Sequence, residues 1–319
     1  MLVGLTTGGY RVQPGHNIEP PYRSLLARSL DGGQSWQVEE PQGFVDEDAA
    51  LRPLTTALDF LAPGFALRVT GTGYHGNCEG RGGFFVSTDR GRRWQGPYAF
   101  TGLDDDPQLC GFELTPRTDY LVEDSQECLL FLSARPNDEW GGDRVFCVRT
   151  VDGGRTFRFV AWVVGPDDPY RAVMPSSVRL SPTHLVSAIR RRQMGTEQCW
   201  LDAYVSQDQG QCWRFLSRIG DTGGDNGNPP ALVALQDGRL CCVYGQRSAR
   251  QLLARFSHDA GATWSEPQVL RADYHSWEED ADLGYPRLCQ RQDGMLVAIY
   301  YWASPAHPCQ HIAATLWMP

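Results

Sequence analysis

The stretch Ser206-Gln-Asp208-Gln-Gly210-Gln-Cys-Trp213 decides how this chain is read. It joins a hydroxyl residue, an aspartate, a glycine and an aromatic at fixed offsets. Four other segments do the same: Ser29 to Trp36 around Asp31 and Gly33, Ser87 to Trp94 around Asp89 and Gly91, Thr150 to Phe157 around Asp152 and Gly154, and Ser257 to Trp264 around Asp259 and Gly261. Successive aspartates fall between 51 and 63 residues apart, a spacing of the kind that marks repeat architectures. Each match reads as a hairpin. The aspartate caps backbone N–H groups of its own turn, the glycine takes the positive φ, and the aromatic folds back over the sheet. The boxes are therefore structural, and their aspartates are set aside as catalytic groups.

Outward from the boxes the same order of strands recurs, most clearly between residues 228 and 270. Pro230-Ala-Leu-Val-Ala-Leu alternates, Asp237-Gly238 turns, Arg239-Leu-Cys-Cys-Val-Tyr runs on, Gln251-Leu-Leu-Ala-Arg-Phe leads into the box, and Glu266-Pro-Gln-Val-Leu follows it. That pattern predicts four strands per repeat. A sixth unit without a clear box follows from Tyr285, with a turn at Asp293-Gly294 and strands over Met295 to Trp302 and His311 to Trp317. The expected fold is all-β: residues 1–319 as one six-bladed β-propeller of four-stranded antiparallel blades with Asp-box turns. A solenoid would need capping repeats, which the sequence lacks. The chain opens on what reads as the second strand of its first blade, so the termini are expected to pair and close the ring.

Composition narrows the function classes. The formal net charge is −9 and all 29 basic residues are arginine, which disfavours broad nucleic-acid binding and excludes lysine chemistry. The N-terminus lacks the features of a secretory signal, and no run approaches the ~18 apolar residues of a spanning helix, so a cytoplasmic protein without a membrane partner is expected. Ten cysteines show no zinc spacing, and the adjacent Cys241 and Cys242 point to opposite faces of a strand, so buried free thiols are expected and neither metal nor cofactor is. His307 and His311 have a helical offset, but Pro305 and Pro308 argue against a helix there.

Five Asp boxes over nearly the whole length make the chain resemble the sialidase superfamily. That resemblance implies three arginines gripping a substrate carboxylate, a tyrosine nucleophile activated by a glutamate, and an aspartate acid/base, all at the mouth where inner strands begin. By position in the repeat, Tyr285 in Asp282-Leu-Gly-Tyr285-Pro-Arg287 looks like the nucleophile. Arg190 in Ser187-Ala-Ile-Arg190-Arg191-Arg192 and Arg247 resemble triad members, with Arg250 the nearby alternative to Arg247. Asp282 is the acid/base candidate or a turn cap. Asn228, ahead of Pro229-Pro230, fixes the backbone or points its amide into the mouth.

Two departures from the family pattern stand out. The Arg-Ile-Pro motif is missing, and Met174-Pro175-Ser-Ser occupies the place of the glutamate, which leaves a tyrosine with an ordinary pKa of about 10 a poor nucleophile. Other proton-transfer groups lie in the connecting loops: His16 and Glu19, His75 and Glu79, Asp138 and Glu139, Asp225, and Asp280. His75 is also read as a binding residue. Alternation along Arg190-Arg191-Arg192 lets at most two face one way, so at least one is expected in solvent. Tyr300-Tyr301-Trp302 reads as a sugar-stacking platform or as core. The preferred expectation is a sialidase-like exo-glycosidase for an anionic terminal sugar, with an anionic glycan as partner. The alternatives are a non-catalytic propeller that binds glycans or proteins, and a uronic-acid polysaccharide lyase.

Overall fold

The computed structural model describes residues 1–11, 16–44, 49–70, 82–115, 117–136, 142–224, 226–277 and 281–319. Among them the chain is all-β, with one short 3-10 turn at Pro107–Leu109. The strands form six sheets. The first holds β1 (Leu2–Tyr10), β2 (Ile18–Arg28) and β3 (Gln37–Glu39); the second holds β4 (Ala66–Thr70), β5 (Gly83–Ser87) and β6 (Gln95–Tyr98). The third holds β7 (Phe112–Leu114), β8 (Tyr120–Val122), β9 (Cys128–Pro136), β10 (Arg144–Thr150) and β11 (Arg158–Val164). The fourth is β12 (Arg171–Arg179), β13 (Leu185–Arg192), β14 (Cys199–Ser206) and β15 (Arg214–Asp221); the fifth is β16 (Ala231–Ala234), β17 (Leu240–Gln246), β18 (Gln251–Ser257) and β19 (Gln268–Arg271). The sixth is β20 (Gly284–Gln290), β21 (Leu296–Ser304) and β22 (His307–Trp317).

Two sequence expectations change here. Among the described residues, only the fourth and fifth sheets have four strands in simple order; the third has five and the others three. The terminal strands also lie in different sheets, β1 beside β2 and β22 beside β21, so the expected pairing of the termini is not formed. β22 pairs on one edge with β21, from Leu296 opposite Trp317 to Ser304 opposite His307, and is the last strand of its sheet.

The Asp boxes fold by the predicted chemistry. In each, the hydroxyl oxygen accepts from the glycine N–H four residues on, at 2.7 to 2.9 Å, and donates to the aspartate Oδ1. The aspartate then accepts backbone N–H groups ahead of it, as Asp208 does from Cys212 at 2.8 Å. The residue before the glycine is left-handed too, even where it is Arg90, Gln209 or Ala260. Ser257 is 1 % exposed. Ser257→Ala strips the buried Gly261 N–H of its acceptor and is expected to destabilise by about 1–3 kcal/mol, read as a lower urea midpoint with an unchanged slope.

The chain divides into two compact units, Met1–Thr7 with Tyr22–Asp167, and Gly8–Pro21 with Asp168–Pro319. The first has an aromatic core in which Phe84 meets Phe100 and Phe157 at 5.3 and 5.5 Å between ring centres. The second has one cluster around Val186, Leu201, Leu240 and Tyr244 and another around Val243, Leu252, Leu296 and Trp302. Cys241 and Cys242 are both fully buried, and burial pushes the Cys241 thiol up to about 12, so neither is a reactive thiolate. Nine described cysteines are free thiols. No helix among the described residues is long and apolar enough to cross a membrane.

Candidate functional site

The second unit gathers Tyr285, Arg190, Arg247 and Asp282 with two residues that the sequence did not single out as a pair, His16 and Tyr301. Tyr285 is the second residue of β20, has a left-handed φ of 50° and is followed by Pro286. The ladder with β21 shifts register between Gly284 and Arg287, so the tyrosine sits on a bulge. Gly284 has a φ of 107°, and a Cβ there would lie 2.1 Å from Asn228 Oδ1. Only glycine lets these backbones approach so closely.

Asn228 explains that approach. Fully buried, it accepts from the Tyr285 N–H at 2.8 Å and donates from Nδ2 to the Leu283 carbonyl at 2.7 Å. Its amide is spent on the backbone of the bulge, in keeping with the backbone-fixing alternative. A buried amide must satisfy both its ends, and the bulge supplies a donor and an acceptor at the right spacing.

Around the Tyr285 hydroxyl the charges are positive. Arg190 Nη1 donates to it at 3.2 Å, with the guanidinium carbon 5.8 Å from the ring centre. The His16 ring stands edge-on at 5.4 Å, and Tyr301 lies 5.6 Å away. Burial alone would raise the Tyr285 pKa, but the charges of Arg190, His16 and Arg247 outweigh it and bring the hydroxyl down to about 7. These cations act by favouring the phenolate, whereas a glutamate partner would act by accepting the proton.

Asp282, 6 % exposed, is the anionic hub. Its Oδ1 lies 3.0 Å from His16 Nδ1, accepts from the Tyr301 hydroxyl at 2.6 Å and lies 3.5 Å from Arg247 Nη2, while Oδ2 accepts from the Asn17 N–H at 3.1 Å. Burial raises its pKa, yet these partners, His16 first, hold it below the usual carboxylate value. Arg247 also donates to the Tyr301 hydroxyl at 2.9 Å, and its buried Nε has no partner. His16 is raised above its usual 6.5: burial lowers it, but the bond to Asp282 and the charge of Tyr285 prevail.

A raised histidine stabilises the fold most below its unfolded pKa of about 6.5, and that stabilisation fades as pH rises through the folded value. The stability lost in His16→Gln is therefore expected to be larger at pH 6 than at pH 9. Equal losses at both, in chemical denaturation, would show that the Asp282 bond does not govern His16.

Arg190 is held from the far side. Its Nε donates to the Asn226 carbonyl at 2.9 Å, Nη2 reaches the same oxygen, and Nη1 lies 3.4 Å from Met174 Sδ. Met174 has a φ of 56°, precedes Pro175, and sits at the register shift between Val173 and Ser176 in β12. It thus repeats in β12 the device that holds Tyr285 in β20, and Arg190 touches both side chains. The dipeptides Met174-Pro175 and Tyr285-Pro286 were the sequence signal for this correspondence.

Arg191 turns to the other face of β13, where it bonds Tyr204 at 2.7 Å and pairs with Asp168 and Asp202. Arg191 is 2 % exposed, Arg190 is 4 %, and Arg192 is half-buried, so none of the three is in solvent as expected; carboxylates and carbonyls take that place. Arg250 lies half-buried after β17 with a φ of 56° and donates its N–H to the Arg247 carbonyl at 3.1 Å. Tyr300 and Trp302 are core, and only Tyr301 of that run reaches the cluster. Glu19 pairs with Arg11 at 3.1 Å. His307 and His311 stack edge-on at 5.5 Å on strand β22, and no metal-binding group of three appears among the described residues. His75, Glu79, Asp138, Glu139, Asp225 and Asp280 lie outside the described residues.

Comparison with known proteins fits the repeat reading. A family model described as a BNR repeat-like domain matches residues 65–298. No curated protein matches. Among solved structures, a protein of unknown function from Dyadobacter fermentans aligns with a TM-score of 0.65 at 20 % identity, over 96 % of this chain and 86 % of its own. The GH93 α-L-arabinofuranosidase of Fusarium graminearum, solved with arabinobiose, aligns at 0.61 and 14 %, over 95 % of this chain and 87 % of its own. The Hadza microbial sialidase Hz136 aligns at 0.62 and 16 %, over 92 % of this chain and 59 % of its own. At such identities the likeness speaks for the fold alone.

Proposed function

The chain belongs to the BNR repeat-like domain family, and from there we propose that it is a six-bladed propeller glycosidase that cleaves a terminal sugar bearing a carboxylate, with Tyr285 as nucleophile. The observation that carries this reading is the tyrosine hydroxyl held near pKa 7 by two buried arginines and an imidazole. A tyrosine so held ionises more readily than a free one, which is the activation a covalent mechanism needs. Glycosidases among the structural neighbours support the class of reaction. Nine free thiols agree with a cytoplasmic setting.

In this reading the phenolate oxygen attacks the anomeric carbon, forming a glycosyl-tyrosine bond as the glycosidic C–O bond breaks. The charged His16, held by Asp282, gives its proton to the departing oxygen. The neutral imidazole then takes a proton from the water that hydrolyses the intermediate, which frees the sugar and restores the phenolate. Asp282 stays ionised throughout and orients His16. Arg247 and Arg190 face the substrate carboxylate, a planar anion that guanidinium groups match.

A panel of chromogenic glycosides tests this. Turnover is expected for a sialic or uronic acid glycoside and not for an arabinofuranoside, and a fluorinated analogue of the active substrate should leave its adduct on Tyr285. Turnover of the arabinofuranoside alone would reject the anionic sugar, and an adduct elsewhere would reject Tyr285. A second reading, elimination from a uronic acid polymer with Tyr285 or His16 as base, is favoured by Met174 standing where a carboxylate partner was expected. It would show as ultraviolet absorbance of an unsaturated product. Binding without turnover would instead select a glycan-binding propeller.

A further inference from the structure

Arg190 and Arg192 are two residues apart on β13, so they project from one face about 7 Å apart. Both are clasped by Asn226. Its backbone carbonyl accepts from Arg190 Nε and Nη2, and its side-chain Oδ1 accepts from Arg192 Nη1. These partners are neutral dipoles, so they fix the two guanidinium groups without cancelling their charge. Neither arginine has an ion pair with a carboxylate among the described residues, and Arg192 Nε is buried with no partner. By contrast Arg191, between them, is matched with Asp168 and Asp202 on the opposite face.

Across the ladder, Arg171 is the direct partner of Arg192. Two like charges opposite each other oppose strand pairing. Burial lowers the Arg190 pKa, and the charges of Arg171 and Arg247 lower it further, so the four cations share one neighbourhood. In a chain of net charge −9, a guanidinium such as that of Arg192, held by a neutral amide beside a second arginine on the same face, is fitted to an anion.

We propose that Arg192 forms a second anion subsite beside the one at Arg190, and that the substrate is a polyanionic glycan carrying a sulfate ester or a second carboxylate about one sugar substituent from the first. This rests on the reading that Arg190 and Arg247 face a sugar carboxylate. The Asn226 clasp gives the subsite its shape: with Arg192 Nη1 tied to the amide, Nε and Nη2 are left to meet an oxyanion side by side.

The test compares three probes by calorimetry in low salt: methyl glucuronide, its sulfated derivative, and a disaccharide of two uronic acids. The wild-type protein is expected to bind at least one doubly charged probe about tenfold or more tighter than methyl glucuronide, and the probe that gains identifies the second anion. Arg192→Met should abolish that gain and leave methyl glucuronide binding intact. Arg192→Gln, which keeps a donor to Asn226, guards against a folding defect and should behave the same.

No gain in the wild type, or a gain that survives in both variants, overturns the subsite. If no probe binds at all, the carboxylate-sugar reading has failed, and inorganic sulfate decides the subsite by itself. Sulfate in place of chloride at equal ionic strength raises melting temperatures generally. The rise should be larger in the wild type than in Arg192→Met, and equal rises overturn the proposal.

Discussion

Tyr285→Phe is expected to lower kcat on the order of 10³-fold or more while the melting temperature stays close to that of the wild type. The substitution removes one oxygen, and with it the bond from Arg190 Nη1, but leaves the ring against His16 and Tyr301. A nucleophile cannot be replaced by better binding elsewhere, so the loss falls on kcat and kcat/KM together. The wild-type kcat/KM should rise through about pH 7 as Tyr285 ionises, and fall above the raised pKa of His16 as the proton donor is lost. Arg190→Met removes the cation that acts most strongly to hold the phenolate down, so the rising limb should move to higher pH. Turnover by Tyr285→Phe within about tenfold of the wild type would remove the tyrosine from the reaction.

The largest effect on stability is expected at Asp282. Asp282→Ala leaves Arg247 and His16 without their anion, and Tyr301 and the Asn17 N–H without their acceptor, in a buried setting. Breaking a buried ion pair from one side costs about 3–5 kcal/mol. Asp282→Asn keeps an acceptor but not the charge, so it should fall between the two. The sign of the pH dependence follows from the lowered pKa of Asp282. Its stabilisation is present above the unfolded value of about 3.9 and is lost as pH falls through the lower folded value. Urea denaturation should therefore show the difference between wild type and Asp282→Asn at pH 7 shrinking in strong acid. A difference below about 0.5 kcal/mol at pH 7 would mean that the hub carries no net stabilisation.

Much of the fold could be read from the five boxes, because a box is local. Serine, aspartate and glycine bond within one turn, so their spacing in the sequence is their spacing in space. The strand count per sheet is not local. Whether β6 gains a neighbour, or β9 takes both β7 and β8, depends on pairings across tens of residues that alternation cannot specify.

The site shows the same division. Tyr285, Arg190 and Arg247 were singled out by their places in the repeat, the tyrosine near the start of a first strand and the arginines near the ends of second strands. His16 was one of many loop groups, since 266 positions separate it from Asp282. For Asn228 the neighbouring prolines revealed the backbone but not the direction of its amide, so the sequence left two alternatives open. The downward shift at Tyr285 could not be read from the sequence because it depends on charges brought from three separate segments.

Met174 and Tyr285 also bear on how this lineage ages. A left-handed backbone costs any residue with a Cβ roughly 1–2 kcal/mol, and glycine escapes that penalty. Random drift therefore has a standing incentive to replace both residues, and only demand for their side chains opposes it. In descendants that have stopped using the pocket, glycine should turn up first at these two places, while the serines and aspartates of the blade turns persist.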